Sequence, residues 1–160
     1  MTVVNCREIP GQPGAYVLVI DVARPTRIDR PAGPRFVLPK GRYIYGGSAY
    51  GPGGIAARVR RHLKRGKSER WHVDRLTNRF GVLMVIALPG GLECPVMAAA
   101  LAWPGVFVPA PGFGASDCRA CPAHLARLPD ALDFGRLDEN PFVKRIIETS
   151  GASGAVIWRR

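Results

Sequence analysis

One segment of the chain combines a phenol, a glycine-rich stretch and a run of basic residues. Tyr45 is followed by the glycine-rich residues 46–48, and Arg58 and His62 come shortly afterwards. Arg58 and His62 are four positions apart, so on a helix their side chains point the same way. A phenol, backbone amides and a guanidinium at one end of a sheet could surround a phosphate, because a guanidinium can bond two phosphate oxygens at once. The segment therefore favours a site that binds or cleaves nucleic acid.

The glycine-rich residues are predicted to form a turn between a strand and a helix. Gly46, Gly47 and Ser48 would let the backbone approach a phosphate, because glycine carries no Cβ. A tight strand-to-helix turn without any ligand would use the same residue types. Both descriptions can hold at once.

Positive charge is concentrated in one part of the chain. The formal net charge is +11, and residues 24–79 hold 15 basic residues against three acidic ones, which leaves the remainder close to neutral. Such a concentration is typical of a surface that binds a polyanion, and we expect nucleic acid, in the form of DNA, as the partner. A solvated basic face is the alternative. The candidate contact residues are Gly47, Ser48, Arg60, Arg61, Lys64, Arg65 and His72.

Three cysteines and a histidine have the residue types of a metal site. Cys118, Cys121 and His124 form a C-x-x-C-x-x-H pattern, and Cys94 is a fourth candidate ligand if the fold brings it close. Thiolate and imidazole ligands suit tetrahedral zinc, so the pattern predicts a structural Zn²⁺. Reduced cysteines or a redox pair would also account for it. Cys6 stands apart and is predicted to be a free thiol.

The chain is long enough to bury one core that positions these residues. It has 160 residues, of which 47% are hydrophobic, and one domain is the natural expectation. We expect this domain over residues 1–128, followed by a C-terminal extension over 129–160 that contains a helix and an edge strand. Short apolar elements punctuated by proline and glycine predict an α/β (α+β) fold, with a small central mixed or antiparallel sheet flanked by helices.

The hydrophobic pattern also places the individual elements. Strands are predicted at 14–22, 35–38, 42–45, 80–88, 106–108 and 154–158, and a loop or irregular hairpin at 24–34. The strand at 80–88 is expected in the sheet centre and the one at 154–158 at an edge. An apolar stripe of Ile55, Val59 and Leu63 predicts a helix that ends near Gly66. Further helices are predicted after a Ser68 cap, at 92–103 and at 142–149.

The chain has no recognisable membrane or export segment. Its longest apolar run, at 82–88, has the length of a strand and is too short to cross a bilayer. The first residues lack the charged-then-apolar pattern of a secretory signal. A cytoplasmic protein that does not contact membranes is therefore expected.

Several short motifs together resemble one nuclease superfamily. They are Gly14-Ala15-Tyr16, Tyr45-Gly46-Gly47, Arg58 with His62 four residues later, Glu93 at a helix start, 71–74 and 112–118. In this order, over roughly Pro13 to His124, they are similar to the GIY-YIG nuclease domain and, more closely, to its stand-alone Uri-type branch. The chain departs from the pattern in two ways. Gly46 replaces a residue that is usually apolar, and no asparagine matches one that many members carry late in the domain.

The resemblance implies a metal-dependent endonuclease. In that superfamily one divalent metal polarises the phosphodiester, a tyrosine or histidine removes a proton from water, and an arginine offsets the charge that builds up at phosphorus. Carried over to this chain, Glu93 would hold Mg²⁺ or Mn²⁺ and Arg58 would contact the phosphate. Tyr16, Tyr45 and His62 are the candidate bases.

Each of these residues also has an ordinary structural explanation. Glu93 could be a first-turn acid that offsets the helix dipole, Arg58 one more cation on a solvated face, and the tyrosines half-buried strand residues. A tyrosine base, with a pKa near about 10, needs a nearby cation to ionise, whereas a histidine titrates nearer neutrality. A nucleic-acid-binding module without catalysis, stapled by zinc, is therefore the alternative function.

The segment Trp71-His72-Val73-Asp74 carries two further polar side chains. His72 and Asp74 are two positions apart, so they would not share a helix face. One of them is expected to make a structural hydrogen bond, and the other to face the binding groove.

Overall fold

The secondary structure follows the apolar runs of the sequence. The structure is a computed structural model that describes residues 1–29, 34–136 and 139–160. Within those ranges the strands are β1 (Thr2–Val4), β2 (Gly14–Val22), β3 (Thr26–Ile28), β4 (Phe36–Leu38), β5 (Gly41–Ser48), β6 (Met84–Pro89), β7 (Leu125–Arg127) and β8 (Val156–Arg159). The helices there are α1 (Gly54–Leu63), α2 (Asp74–Phe80), α3 (Glu93–Leu101) and α4 (Pro141–Thr149).

β2 lies inside a mixed sheet. Among the described residues, six strands pair in the order β1-β8-β6-β2-β5-β7, and β3 pairs with β4 in a separate hairpin. β1 and β8 are parallel, and the other neighbours in the sheet are antiparallel. The predicted mixed sheet flanked by helices, an α+β fold, is confirmed.

Side chains alternate across β2 and so divide the core into two layers. Tyr16, Leu18 and Ile20 face one layer, to which α1 contributes Ile55 and Val59. The intervening residues of β2 face a second layer, which α3 and α4 fill with apolar side chains. The sheet is therefore covered by helices on both faces, and Tyr16 belongs to the same layer as the basic helix α1.

The predicted turn at Gly46 and Gly47 is wrong, because β5 continues through both glycines to Ser48. A Cβ on Gly46 would come 2.7 Å from Met97 Sδ. A Cβ on Gly47 would overlap the ring of Tyr16, its partner on β2. These glycines are needed for packing inside the sheet rather than for a reversal of the chain.

The helices predicted at 92–103 and 142–149 are confirmed as α3 and α4. The end of α1 and the start of α2 differ from the predicted positions. α1 ends at Leu63, before Gly66. Ser68 does not cap a helix, since α2 begins only at Asp74. The residues before α2 instead wrap around the Asp74 side chain, which accepts hydrogen bonds from backbone amides there. No helix in the described ranges is long and apolar enough to cross a membrane.

Three strand predictions also need correction. The strand predicted at 80–88 starts later, because Phe80 still belongs to α2. Residues 106–108 contribute only an isolated bridge from Phe107 to Arg127. β8 lies between β1 and β6 rather than at an edge, because β1 covers its outer side.

The prediction of an irregular hairpin at 24–34 is confirmed in part. β3 and β4 pair across this segment, while residues 30–33 lie outside the described residues, as do residues 137–138 of the predicted C-terminal extension.

Candidate functional site

A cavity of about 230 Å³ opens where β2, β5, α1 and α3 come together. Because β2 and β5 are antiparallel, the first residues of β2 lie beside the last residues of β5, and Tyr16 is paired with Gly47. Glu93 enters as the first residue of α3, directly after the turn that follows β6. The lining residues are Tyr16, Tyr45, Gly47, Ser48, Arg58, Trp71, Glu93, Gly114, Asp117, Cys118 and His124.

Four of the five predicted catalytic residues line this cavity. Tyr16, Tyr45, Arg58 and Glu93 come from four different elements and meet on its wall. His62, the fifth, does not line it. Its ring is buried behind Tyr16, with only 1% of its surface exposed.

Trp71 supports the Arg58 guanidinium. Arg58 Cζ lies 4.5 Å from the centre of the Trp71 ring, and Arg61 Cζ lies 4.8 Å from the same ring. A guanidinium over an aromatic face gains about 0.5–2 kcal/mol, depending on how far it is desolvated. Trp71 therefore limits the freedom of Arg58 and holds its positive charge at the cavity.

A hydrogen bond joins the two aromatic side chains Tyr16 and His62. The Tyr16 hydroxyl lies 2.9 Å from His62 Nε2, and both groups are buried. Burial raises the pKa of Tyr16 well above its usual range, with a smaller contribution from Tyr45. Burial likewise raises the pKa of Tyr45 to about 12. Both phenols are therefore protonated at neutral pH, and neither is a base on its own.

Asp74 lies behind His62 with none of its side chain exposed. Its Oδ2 accepts hydrogen bonds from Arg61 Nη2 at 2.7 Å and from the backbone amides of Arg70 at 2.9 Å and Trp71 at 3.0 Å. Its Oδ1 faces His62 Nδ1 at 3.5 Å. Burial would raise the pKa of Asp74, but the facing imidazole and these donors outweigh it and hold that pKa well below its usual range.

The fully buried carboxylate stays charged while the imidazole stays neutral. Burial lowers the pKa of His62, although the neighbouring Asp74 carboxylate acts in the opposite direction. Lys67 Nζ lies 3.8 Å from Asp74 Oδ1 and donates to Thr77 Oγ1 at 2.7 Å. Two cations, Arg61 and Lys67, thus balance the negative charge of Asp74. His62 therefore does not have to be protonated to do so.

The two polar residues of the 71–74 segment have separate positions. Asp74 makes the structural hydrogen bonds, whereas His72 lines an adjoining cavity of about 370 Å³ together with Arg70 and Arg75. The two cavities share Tyr45, Trp71, Gly114 and Asp117. A groove therefore leads away from the first cavity past His72, and two arginines and two carboxylates, Glu69 and Asp117, line it.

The predicted phosphate contacts divide into two groups. Gly47 and Ser48 line the first cavity. Arg60, Lys64 and Arg65 are exposed and line neither cavity. Arg61 also stays off the cavity walls, because its guanidinium turns inward to Asp74 and to the carbonyl of Ser68.

The predicted metal ligands form a cluster beside the cavity. The ligand atoms of Cys94, Cys118, Cys121 and His124 all lie within 4.8 Å of one another. The Sγ atoms of Cys94 and Cys118 are 3.5 Å apart, close to the roughly 3.8 Å that tetrahedral Zn–S bonds of about 2.3 Å would set. His124 Nε2 is buried without a hydrogen-bond partner among the described residues. The cluster can hold a metal such as zinc.

The pKa values of the three thiols in the cluster are shifted in different directions. The backbone amide of Cys121 donates to Cys118 Sγ at 3.3 Å, and this bond is the main reason that the pKa of Cys118 falls to about 6. Burial raises the pKa of Cys121 to about 12 and also raises that of Cys94. Cys118 is therefore the readiest thiolate. Cys6 is exposed and free, as predicted.

The cluster and the cavity share a wall. Cys118 and His124 line the cavity themselves, and Cys94 follows Glu93 in the first turn of α3. A bound ion would therefore connect the start of α3 to the segment 112–124.

A family model described as a domain of unknown function, DUF123, matches residues 15–140, which include the whole cavity wall. The chain belongs to the DUF123 family. Searches of curated proteins and of solved structures gave no match.

Sequence reasoning missed three residues of this DUF123 site. Trp71 and Asp117 lie in segments 71–74 and 112–118. The family resemblance of these two segments could have pointed to them, but it gives neither residue a chemical role. Gly114 lines the cavity with a φ of 71°, and a Cβ there would come 2.7 Å from Tyr45 Cε2. Asp117 adds a second carboxylate to the wall that holds Glu93.

Proposed function

We propose that the protein is a metal-dependent endonuclease that hydrolyses DNA phosphodiester bonds on a GIY-YIG-like scaffold of the Uri type. The observation that carries the proposal is the single cavity lined by Tyr16, Tyr45, Arg58 and Glu93. Tyrosines, an arginine and a glutamate on one wall are the groups needed to orient water, offset phosphate charge and hold a divalent cation.

The residues at the cavity fit a hard divalent cation. Glu93 and Asp117 both line it, and Mg²⁺ or Mn²⁺ prefers carboxylate oxygens completed by water and substrate phosphate. Glu93 would hold the ion, with Asp117 as a second acidic group. When bound, the ion supplies Lewis-acid polarisation of the phosphodiester.

Arg58 supplies the fixed positive charge. Hydrolysis adds negative charge to a phosphodiester that is already anionic, so a preorganised cation favours the transition state over the ground state. Trp71 holds the guanidinium by ring contact, so little reorganisation is needed during the reaction.

Tyr16 and Tyr45 orient the attacking water. Their raised pKa values keep both hydroxyls protonated. The Tyr45 hydroxyl can therefore donate or accept a hydrogen bond at the cavity, while the Tyr16 hydroxyl, which is hydrogen-bonded to His62, can accept one there. A neutral base must then accept the proton that the water loses. His62 can be this base, because it is hydrogen-bonded to Tyr16.

The charge of the chain supports a nucleic acid as the substrate. The net charge is +11, and the groove past His72, Arg70 and Arg75 offers a path for further phosphates of a bound strand. Phosphate contacts of this kind give salt-dependent affinity without base specificity.

We also propose that the cysteine cluster binds a structural Zn²⁺. Its four ligand atoms are already grouped, and the buried His124 Nε2 lacks another partner among the described residues. Zinc in this position would cross-link the cavity wall at 112–124 to the start of α3.

One observation favours a second candidate, a nucleic-acid-binding module without catalysis. Neither cavity phenol is ionised at neutral pH, because burial raises the pKa of both tyrosines. Such a module would keep the groove past His72 and the cysteine cluster, and it would bind DNA without turnover.

Plasmid nicking tests the nuclease against the binding module. Supercoiled, single-stranded and branched DNA are incubated with the protein and Mg²⁺ or Mn²⁺, and cleavage is followed on gels. Glu93→Gln and Arg58→Ala should each lower the rate by roughly 10²–10³-fold. Glu148→Gln and Arg145→Ala on α4 are matched controls, since both residues are exposed and line neither cavity.

Two results would overturn the proposal. Salt-dependent binding of all three DNA forms without cleavage would leave only the binding module. Cleavage that survives Glu93→Gln and Arg58→Ala unchanged would show that the activity arises elsewhere.

A further inference from the structure

Three buried side chains form a continuous chain that starts at the cavity and ends in the protein interior. Tyr16 lines the cavity and its hydroxyl lies 2.9 Å from His62 Nε2. The opposite nitrogen of the same ring, Nδ1, lies 3.5 Å from Asp74 Oδ1. His62 and Asp74 are almost completely buried, with 1% and 0% exposure.

The orientation of the Asp74 carboxylate is determined by its other oxygen. Three donors, Arg61 Nη2 and the amides of Arg70 and Trp71, converge on Oδ2. Oδ1 therefore faces His62 Nδ1 at 3.5 Å and Lys67 Nζ at 3.8 Å. The approach of Nδ1 to Oδ1 is longer than a well-formed hydrogen bond, and neither atom has a hydrogen-bond partner among the described residues.

This arrangement selects one tautomer of the neutral imidazole. A carboxylate can only accept, so the ring proton is favoured on Nδ1, where it faces Asp74. Nε2 then carries a lone pair and accepts a hydrogen bond from the Tyr16 hydroxyl. The Tyr16 oxygen keeps its own lone pairs for a group in the cavity.

We propose that Asp74 is a positioning residue that holds His62 in the Nδ1–H tautomer, so that Tyr16 can pass its proton to His62 while it accepts one from the attacking water. The inference rests on the proposed nuclease function and extends it.

The proton and bond changes of this step balance. The water oxygen forms the new bond to phosphorus, and its proton moves to the Tyr16 oxygen. The original Tyr16 proton moves to His62 Nε2, and the resulting imidazolium faces the Asp74 carboxylate. The bond from phosphorus to the leaving oxygen breaks, and that oxygen takes a proton from solvent water. His62 returns its proton through Tyr16 to solvent after product leaves.

The charged groups around His62 are consistent with this cycle. Asp74 on α2 faces the ring from one side and Tyr16 on β2 from the other. Arg61 on the same helix and Lys67 in the following loop both contact Asp74. Their charges oppose protonation of His62 at rest, so the ring is neutral and ready to accept a proton.

Asp74→Asn separates positioning from structure. The three donors that converge on Oδ2 will attract the amide oxygen of the new side chain, which turns its NH₂ group toward His62. Because an NH₂ group can only donate, His62 must then accept at Nδ1 and carry its proton on Nε2. The Tyr16 hydroxyl can no longer donate to that nitrogen.

The first measurement is independent of activity. Nitrogen-15 NMR of histidine-labelled protein should show His62 protonated on Nδ1 in wild type and on Nε2 in Asp74→Asn. Circular dichroism and DNA affinity should match wild type, because the fold and the groove are unchanged. A wild-type His62 protonated on Nε2 would overturn the inference.

The second measurement uses nicking kinetics. Asp74→Asn should lower kcat by roughly 10²–10⁴-fold, the usual contribution of a positioned base, with KM close to wild type. Tyr16→Phe should have a similar effect, and the double variant should be no slower than either single one, since both act in one relay. Additive losses, or a reversed tautomer with unchanged kcat, would overturn the relay.

If Asp74→Asn does not fold, a second variant, His62→Gln, tests the relay. His62→Gln keeps a polar side chain and leaves the Asp74 carboxylate in place. It should show the same loss in kcat and the same lack of additivity with Tyr16→Phe.

If wild type cleaves no DNA, the nuclease function and the relay are both wrong, even where NMR finds the Nδ1–H tautomer. If wild type cleaves but His62 carries its proton on Nε2, only the relay falls.

Discussion

Two polar clusters border the same cavity, and they are completed in different ways. In the chain of Tyr16, His62 and Asp74, the protein supplies a hydrogen bond between Tyr16 and His62 and two cations that balance the buried carboxylate, although His62 Nδ1 and Asp74 Oδ1 face each other at 3.5 Å without a hydrogen bond. In the cluster of Cys94, Cys118, Cys121 and His124, four ligand atoms crowd together, and His124 Nε2 has no hydrogen-bond partner among the described residues.

The difference indicates what each cluster depends on. The first is assembled by folding alone, because the ion pairs of Arg61 and Lys67 balance the charge of Asp74 inside the protein. The second has the composition and spacing of a site that an external ion completes. The cavity therefore has one wall stabilised by internal ion pairs and one that we propose is stabilised by zinc. Changes to one cluster should leave the other intact.

The largest expected effect comes from removing the buried carboxylate. Asp74→Ala leaves Arg61 and Lys67 without their counter-charge and His62 without its acceptor, so the free energy of unfolding should fall by about 3–5 kcal/mol. Urea denaturation followed by circular dichroism measures it. Glu148→Ala, an exposed residue on α4, should stay within about 0.5 kcal/mol of wild type. A loss of about 1 kcal/mol or less, typical of an exposed ion pair, would contradict this account of the first cluster.

Zinc should have the next largest effect. At free zinc about a hundredfold above the dissociation constant, the free energy of unfolding should rise by about 2.7 kcal/mol. Cys118→Ser should abolish the increase, whereas Cys6→Ser, an exposed cysteine outside the cluster, should retain it. Elemental analysis should find one zinc per chain. A wild-type protein that takes up no zinc would show that the second cluster is complete as free thiols.

Mild acid, between about pH 6.5 and 5, should have the smallest effect, and it is measured on zinc-free protein. The pKa of His62 is lowered by burial, so below about pH 6.5 the unfolded chain binds a proton that the folded protein resists. The free energy of unfolding should fall with decreasing pH by at most about 1.4 kcal/mol per unit. Asp74, whose pKa is also lowered, adds a further loss below about pH 3.9.

His62→Gln is the comparison for the acid experiment. Its curve should be flatter than that of wild type between about pH 6.5 and 5, since the variant lacks the titrating ring. Parallel curves for the two proteins would mean that His62 is not held neutral in the folded state.

Local pattern was enough to predict the larger elements. The apolar run at 14–22 coincides with β2, and the stripe of Ile55 and Val59 places α1 correctly on the core. β1 and β7 each have three residues, too few to show an alternation. The interior position of β8 depends on its pairing with β1, which no local pattern reveals.

The site was predictable as a set of residues rather than as a geometry. The resemblance placed Tyr16, Arg58 and Glu93 in one site, and the structure brings them to one cavity. It could not show that His62 lies behind Tyr16, because that depends on how α1 packs against β2. The two glycines of β5 were assigned to a turn because the side chains that fill the space above them come from other elements.

The position of Trp71 gives the protein an internal optical reporter. Its indole lies against the Arg58 guanidinium and lines both cavities, whereas Trp103 packs against Phe142 on the far side of the sheet. Indole fluorescence is sensitive to a nearby charge. An oligonucleotide whose phosphate binds Arg58 would change the charge beside the Trp71 ring and hence its emission, so occupancy could be followed in real time without attaching a dye.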